Sequence, residues 1–364
     1  MKPFTARWSC LLLGMLLSAV SCSITASAQS RQETPAFIRH LPFQVLAYRE
    51  LPGLDDRHLT QLPIDERDLE RTPAPRPYPL EGNSISPSGR FVFRVESIDA
   101  FYIPEDQPRY DISVYDTSNG KWRHIDLLAQ FHTNVIDNIF WDPTDDRYLF
   151  ISAPETRPDG GTRITLWRMR IGGTTPTRIS REDESVSWGQ PTPDGESILL
   201  AVTPFPVPKE ATEPVWYLQS RQDPAKRELI MWPAQLKLDK YHPPVFAPNM
   251  RLIARVASVE ELQMANLAAP NWVTMLSKAQ LEIKHEGSAN FGYFGWFADS
   301  SGGLLSVNHD CYITTDGQAV RLLKGVYFSD VSDNGLHWVF NSQGKTYLVT
   351  AQSSTAGAPG AKTR

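Results

Sequence analysis

The chain has 364 residues, with 36 Lys and Arg against 41 Asp and Glu, and a net charge of −5 at pH 7. That balance argues against a general nucleic-acid or anionic-membrane binder, which would carry a basic patch or stripe. Of the three cysteines, Cys10 and Cys22 fall in the first 28 residues, so only Cys311 remains beyond them and neither an internal disulfide nor a cysteine zinc cluster is available there.

Residues 1–28 have the layout of a secretory leader. Lys2 and Arg7 precede the apolar run 11–17, and Ala26-Ser27-Ala28 supplies small residues for cleavage before Gln29. The run is too short to span a hydrocarbon core of ~30 Å. Loss of Lys2 and Arg7 takes the net charge from −5 to −7. Ala19-Val20-Ser21-Cys22 also loosely resembles a lipoprotein cleavage site, with Cys22 as a possible lipid anchor, although Ala19 stands where Leu is usual. Residues 29–80 are rich in Pro and charge, and within them Phe43–Glu50 (FQVLAYRE) alternates as a strand does.

From residue 85 a phrase repeats. Residues 85–95 read ISPSGRFVFRV: a polar turn, Ser86-Pro87-Ser88-Gly89, then an apolar run. The phrase returns as DPTD at 142–145, TPDG at 192–195, APNM at 247–250, DSSG at 299–302 and SDNG at 332–335, each before an apolar run. Most intervals are near fifty residues, a period typical of propellers and other repeat arrays. Pro, Asp, Asn and Gly reverse the chain between two strands. A strand is expected before each turn, as at Asn138–Trp141. A third follows the apolar run, at 111–116, 163–171, 215–220, 272–277 and 312–315. A fourth follows that, at 122–125, 176–179, 228–230, 281–285 and 319–323. Four antiparallel strands per period make a propeller blade.

The last unit supplies only three strands, at 325–329, 336–340 and 345–350, before a small, polar tail at 351–364. The strand at 43–50 is the candidate fourth, and it would close the ring and cover its open edges. The expected fold is therefore all-β: a six-bladed β-propeller of four-stranded antiparallel blades over 81–350, closed by an N-terminal strand.

The repeating S-P-D-G-x-x-(apolar run) with its following (I/V)-(Y/W) strand resembles the PD40, or WD40-like, repeat of the TolB propeller family. Blade one (ISPSGRFVFRVES…ISVYDTSNGKWRHI) and blade two (WDPTDDRYLFIS…ITLWRMRI) match best. Blades four to six depart from the pattern: Met250 replaces Gly, and Pro is absent from the last two turns. The resemblance implies the propeller alone. Residues 29–80 are too few for the α/β domain that precedes the propeller in TolB, so the Tol–Pal role is not carried over. Propellers of this type also form the front half of serine peptidases, but those need a G-x-S-x-G elbow, which this sequence lacks.

Strands that run alternately up and down put the SPSG-type turns on one face and the second-to-third connections on the other. The latter are expected to be long in four consecutive blades: 98–110, 153–162, 204–214 and 258–271. In the last of these Ser258 and Glu261 fit a capping box for a short helix. Loops held on a rigid scaffold commonly carry binding residues. Phe101, Tyr102, Phe205 and Trp272 are the aromatic groups nearest those loops and the candidates for partner contact; the bland alternative is that they pack their own loops.

Catalytic and cofactor patterns are not found. The eight histidines show no H-E-x-x-H spacing, and no G-x-x-x-x-G-K-S/T occurs. Asn308-His309-Asp310 falls where a tight hairpin is expected, and Asp142, Asp145 and Asp146 fall on the repeat's own turn without EF-hand spacing. The sequence thus points to an exported, non-catalytic protein-binding module of the bacterial envelope, with no cofactor or metal and with another envelope protein as partner. A lyase or hydrolase with a dispersed site at the central channel is the alternative, and a lipid-anchored scaffold a third.

Overall fold

The computed structural model describes residues 34–54, 85–98, 109–125, 127–133, 136–206, 214–230, 244–258, 261–281, 291–315 and 318–352. The chain divides into two compact units, 1–36 and 37–364, and every strand lies in the second.

The strands follow the repeat. The closing strand is β1 (Val45–Glu50). Blade one has β2 (Phe91–Ile98), β3 (Arg109–Asp116) and β4 (Lys121–Ile125), and a short helix, α1 (Leu127–Phe131), leads to blade two. Blade two has β5 (Asn138–Trp141), β6 (Tyr148–Thr156), β7 (Thr162–Arg170) and β8 (Thr177–Arg178). Blade three has β9 (Glu184–Pro191), β10 (Ser197–Pro204), β11 (Val215–Ser220) and β12 (Arg227–Leu229). Blade four has β13 (Val245–Phe246), β14 (Leu252–Ser258), β15 (Glu261–Asn266) and β16 (Ala269–Ser277). Blade five has β17 (Phe291–Trp296), β18 (Gly303–Val307), β19 (Asp310–Thr315) and β20 (Gln318–Leu323). Blade six has β21 (Val326–Val331), β22 (His337–Ser342) and β23 (Lys345–Ala351). All pairings are antiparallel between sequential neighbours, except that β1 joins β23. In blade one the first strand is represented by an isolated bridge, Ile85 to Val92.

The repeated turn has a physical job. In blades one, three and six its first residue is Ser86, Thr192 or Ser332, whose hydroxyl accepts the backbone N–H five residues on at 3.0 Å. The fourth residue, Gly89, Gly195 or Gly335, takes φ near +70°, which a Cβ disfavours. Met250 in blade four bears the same left-handed strain at φ 59°. Blade five differs from the sequence expectation. Its left-handed residue is Ser300, which bonds back to Phe297, so the turn begins at Phe297 rather than Asp299.

The cores lie between blades. Phe91 and Phe93 of blade one meet Trp141 of blade two, with ring centroids at 6.1 and 5.6 Å. Phe140 of blade two meets Trp188 of blade three at 5.1 Å. Because each blade is covered on both faces, strands such as β5 and β10 are buried along most of their length and read as continuous apolar runs instead of alternating ones.

Closure occurs as expected, with the strand starting at Val45 instead of Phe43. β1 pairs β23 with Ala47 opposite Thr350 and Glu50 opposite Tyr347. Phe37 packs its ring on Phe340 and Tyr347 at 5.6 and 5.5 Å. Leu51 and Leu54, both buried, join Ile85, Val92 and Tyr115 of blade one to Val339 and Leu348 of blade six.

Two second-to-third connections are shorter than expected. In blade two, β6 and β7 extend to Thr156 and from Thr162, so Ala153–Thr162 is mostly ladder, closed by Gly160 N donating to Arg157 O at 2.9 Å. In blade four, 258–271 is not a capped helix. Residues 261–266 form the third strand and 269–277 the fourth, so 272–277, expected as the third strand, belongs to the fourth, while the expected fourth at 281–285 lies, beyond Leu281, outside the described residues. The Val259/Leu262/Ala265 spacing fits a helix, but Leu262 and Ala265 are instead buried as strand residues, and tertiary burial overrides the local pattern.

Candidate binding face

Strand alternation separates two faces. On one lie the repeat turns, and these are interlocked. Ser88 of the first turn donates its hydroxyl to Asp146 of the second. Asn249 N of the fourth turn donates to Ser300 Oγ of the fifth at 3.1 Å. Gly335 of the sixth sits directly on the backbone of 296–298. Asn334 donates to Pro87 O of the first turn at 2.8 Å.

The strongest link on this face joins blades two and three. Asp142 is fully buried. Arg221 grips it with two nitrogens at 3.0 and 2.8 Å, Arg168 Nε donates at 2.8 Å, and Thr144 donates through N and Oγ1 at 3.0 and 2.7 Å. Burial alone would raise this carboxyl. The Thr144 and Arg221 hydrogen bonds overcome it and hold the group below the usual carboxylate range. Asp145 is lowered to about 2, chiefly by Arg147. These carboxylates are committed to arginines, as turn residues, and among the described residues no group of three His, Cys, Asp or Glu could hold a metal ion.

The opposite face carries the second-to-third connections and the links from one blade to the next. Here the connection lengths differ. Asn308-His309 and Gln343-Gly344 are two-residue hairpins, with Asn308 and Gln343 left-handed at φ 52° and 53°. By contrast, ten residues separate β2 from β3, ten separate β10 from β11, and fifteen separate β12 from β13.

The four aromatic candidates are dispersed. Phe101 and Tyr102 lie outside the described residues. Phe205 is half-buried: Arg157 of the blade-two hairpin lies over its ring at 5.3 Å, and its N donates to Asp183 O at 2.9 Å. Trp272 is on the outer strand β16 and not on a loop, with the Arg255 guanidinium over its ring at 4.6 Å. Nothing among the described residues brings Phe205 and Trp272 together into one patch.

Two features here were not expected. Around the blade-two hairpin, Arg163 donates to Glu155 at 3.0 Å and to Glu182 at 2.8 Å, and Arg178 bridges the same two carboxylates. Nearby, Glu184 takes two bonds from Arg227 at 2.6 and 2.7 Å and one from Arg181 N at 2.7 Å, which lower it against the opposing effect of burial. Guanidinium forks matched to carboxylates fix geometry as well as charge, so the blade-two end of this face is stiff. The spacing of Glu155 and Arg163 across a hairpin is the signal that would have found the pairing.

The second feature is a cleft of about 160 Å³ in blade six, lined by Gly325, Tyr327, Asn341, Ser342, Gln343 and Thr346. The His309 ring stands beside Tyr327 at 5.6 Å. The lining is neutral and hydrogen-bonding, with one aromatic wall. It sits where the sequence showed only tight turns.

Cys311 is fully buried in β19, and burial, with Asp310 adding to it, pushes its thiol up to about 12, which disfavours the thiolate.

No family model and no curated protein matches the chain. Solved structures do. A putative TolB from Agrobacterium tumefaciens aligns at 10% identity over 67% of this chain and 80% of its own, with a TM-score of 0.42. A luciferin-regenerating enzyme aligns at 10% identity over 86% of this chain and 98% of its own, with a TM-score of 0.46. An oligogalacturonate lyase solved with manganese aligns at 13% identity over 74% and 64%, with a TM-score of 0.36. At such identities the likeness is one of fold alone.

Proposed function

We propose that the chain is an exported, non-catalytic propeller that binds another protein of the bacterial envelope through its loop face. One observation carries this reading: the two faces are unequal. The turn face is occupied by its own interlocking contacts. The opposite face holds the ends of β2 and β3 and of β10 and β11, each pair separated by ten residues, near a stiffened blade-two end. Long connections held on a rigid scaffold are a usual arrangement for recognition. Phe101, Tyr102 and Phe205 remain the partner contacts of this proposal, and Trp272 contributes from the outer rim.

Export rests on the leader-like residues 1–28, and the compartment is periplasmic or extracellular. Intact mass of the mature protein separates cleavage after Ala28 from lipidation at Cys22. The binding test is affinity capture from the host's envelope extract with the mature chain as bait, against a control in which 99–108 and 205–214 are shortened. A partner held by the bait and lost by the control supports the reading. Equal capture by both, or none, overturns it and turns attention to small ligands at the channel.

A further inference from the structure

Three segments meet where the ring closes: the closing strand β1, the first repeat turn and the start of β22. The His337 imidazole stands at their meeting point. Its Nδ1 lies 3.3 Å from Thr350 Oγ1 on β23. Its ring presses on Gly89 of the first turn so closely that a Cβ there would come within 2.6 Å of Nδ1. Beside it, Asn334 donates to Pro87 O at 2.8 Å, and Arg49 of the closing strand reaches Thr117 of blade one. The same small region therefore holds both ends of the propeller together.

We propose that this seam is an acid-sensitive latch: a proton on His337 loosens blade one and the closing strand from blade six, opening the ring at the junction of its two chain ends.

The charges around the ring favour this. Arg49 acts on it from the closing strand, and it is a cation. On blade one, Arg90 and Asp116 are paired with each other at 3.1 Å. Asp146, on the second turn, is engaged by Ser88. On blade six, Asp333 lies in the turn beside Asn334, and Lys345 is paired with Glu50 of the closing strand at 2.9 Å. Burial, and then Arg49, hold the imidazole at about 4, down from 6.5. The folded value lies below the unfolded one. The neutral ring's contribution is therefore complete above about pH 6.5 and is lost as pH falls toward 4. From pH 7 to pH 5 the opening equilibrium should rise by up to about 20-fold by this linkage.

Hydrogen exchange of the full chain at pH 7 and pH 5, corrected for intrinsic rates, tests the latch. Amides at 45–51 and 346–351 are expected to lose protection about 10-fold at the lower pH, while β6, β7 and β10 keep theirs. His337→Asn is expected to abolish the difference. Should that variant fail to fold, Arg49→Gln decides: removal of the cation returns the ring toward 6.5 and shrinks the acid response. Equal protection of the seam at both pH values overturns the proposal. So does an undiminished acid response in whichever variant folds.

Discussion

Asp142→Asn tests whether the turn face is held by its buried ion cluster. The substitution keeps the shape of the side chain and removes the charge on which Arg168 and Arg221 converge. Removing one partner of a buried pair costs ~3–5 kcal/mol, because the remaining charge is left without compensation. Here the arginines keep something: Arg221 retains Gly195 O at 3.2 Å, and Arg168 retains the Tyr148 ring at 3.7 Å. The lower end, about 3 kcal/mol, is therefore expected. With an unfolding entropy of roughly 2 cal/mol/K per residue over the 243 described residues, the melting point should fall by about 6 °C. Thermal unfolding at pH 7 reads this directly. The pH dependence has a definite sign. The folded carboxyl lies below its unfolded value, so its stabilisation is present above about pH 4 and is lost as pH falls. The gap between wild type and variant should narrow as pH falls below about 4. A cycle with Arg221→Gln should be non-additive by ~1 kcal/mol or more, since the two side chains touch. A loss under ~1 kcal/mol at pH 7, or a gap that ignores pH, would refute the idea that this cluster staples blades two and three.

Other outcomes are equally definite. Leu51→Ala, at a residue 1% exposed in the closure seam, should cost ~2–5 kcal/mol in a denaturant titration, and deletion of 37–51 should lower and broaden the transition; an unchanged curve would remove β1 from the fold's account. Gly335 and Gly344 have similar φ values, +69° and +73°, but a Cβ on Gly335 would meet Ala298 N at 2.6 Å, whereas one on Gly344 meets nothing within 4 Å. Gly335→Ala should therefore cost well over the ~1 kcal/mol of backbone strain that Gly344→Ala shows, and equal losses would disprove the turn interlock. Cys311 should resist a maleimide reagent at pH 8 in the native state and label fully in denaturant; rapid native labelling would contradict its burial.

The repeat was legible in sequence because each blade must reverse at a fixed interval, and only a few residue types satisfy that turn. Asn138–Trp141 and Val215–Ser220 fell at the positions read from pattern alone. The closing strand was legible for a related reason: a blade short of one strand needs another, and 43–50 alternates. What failed was local. Blade four's short third strand has apolar spacing that also suits a helix, and the difference lies in burial by blades three and five, which no window of sequence contains. The turn of blade five slid by two residues because Ser300, lacking the usual Gly, still takes the left-handed position under packing.

Sequence by itself thus determined the number of blades, the strand order and the terminus that closes the ring, because these follow from period and alternation. Tertiary structure alone decided which charges meet. Asp142 with Arg221 and Asn334 with Pro87 are separated by 79 and 247 residues and come together only once the blades are arranged in a ring. The same holds for His337 against Gly89 and for the cleft beside Tyr327. Contacts between blades depend on how the twisted sheets pack face to face, and that geometry is a property of the assembled ring rather than of any one repeat.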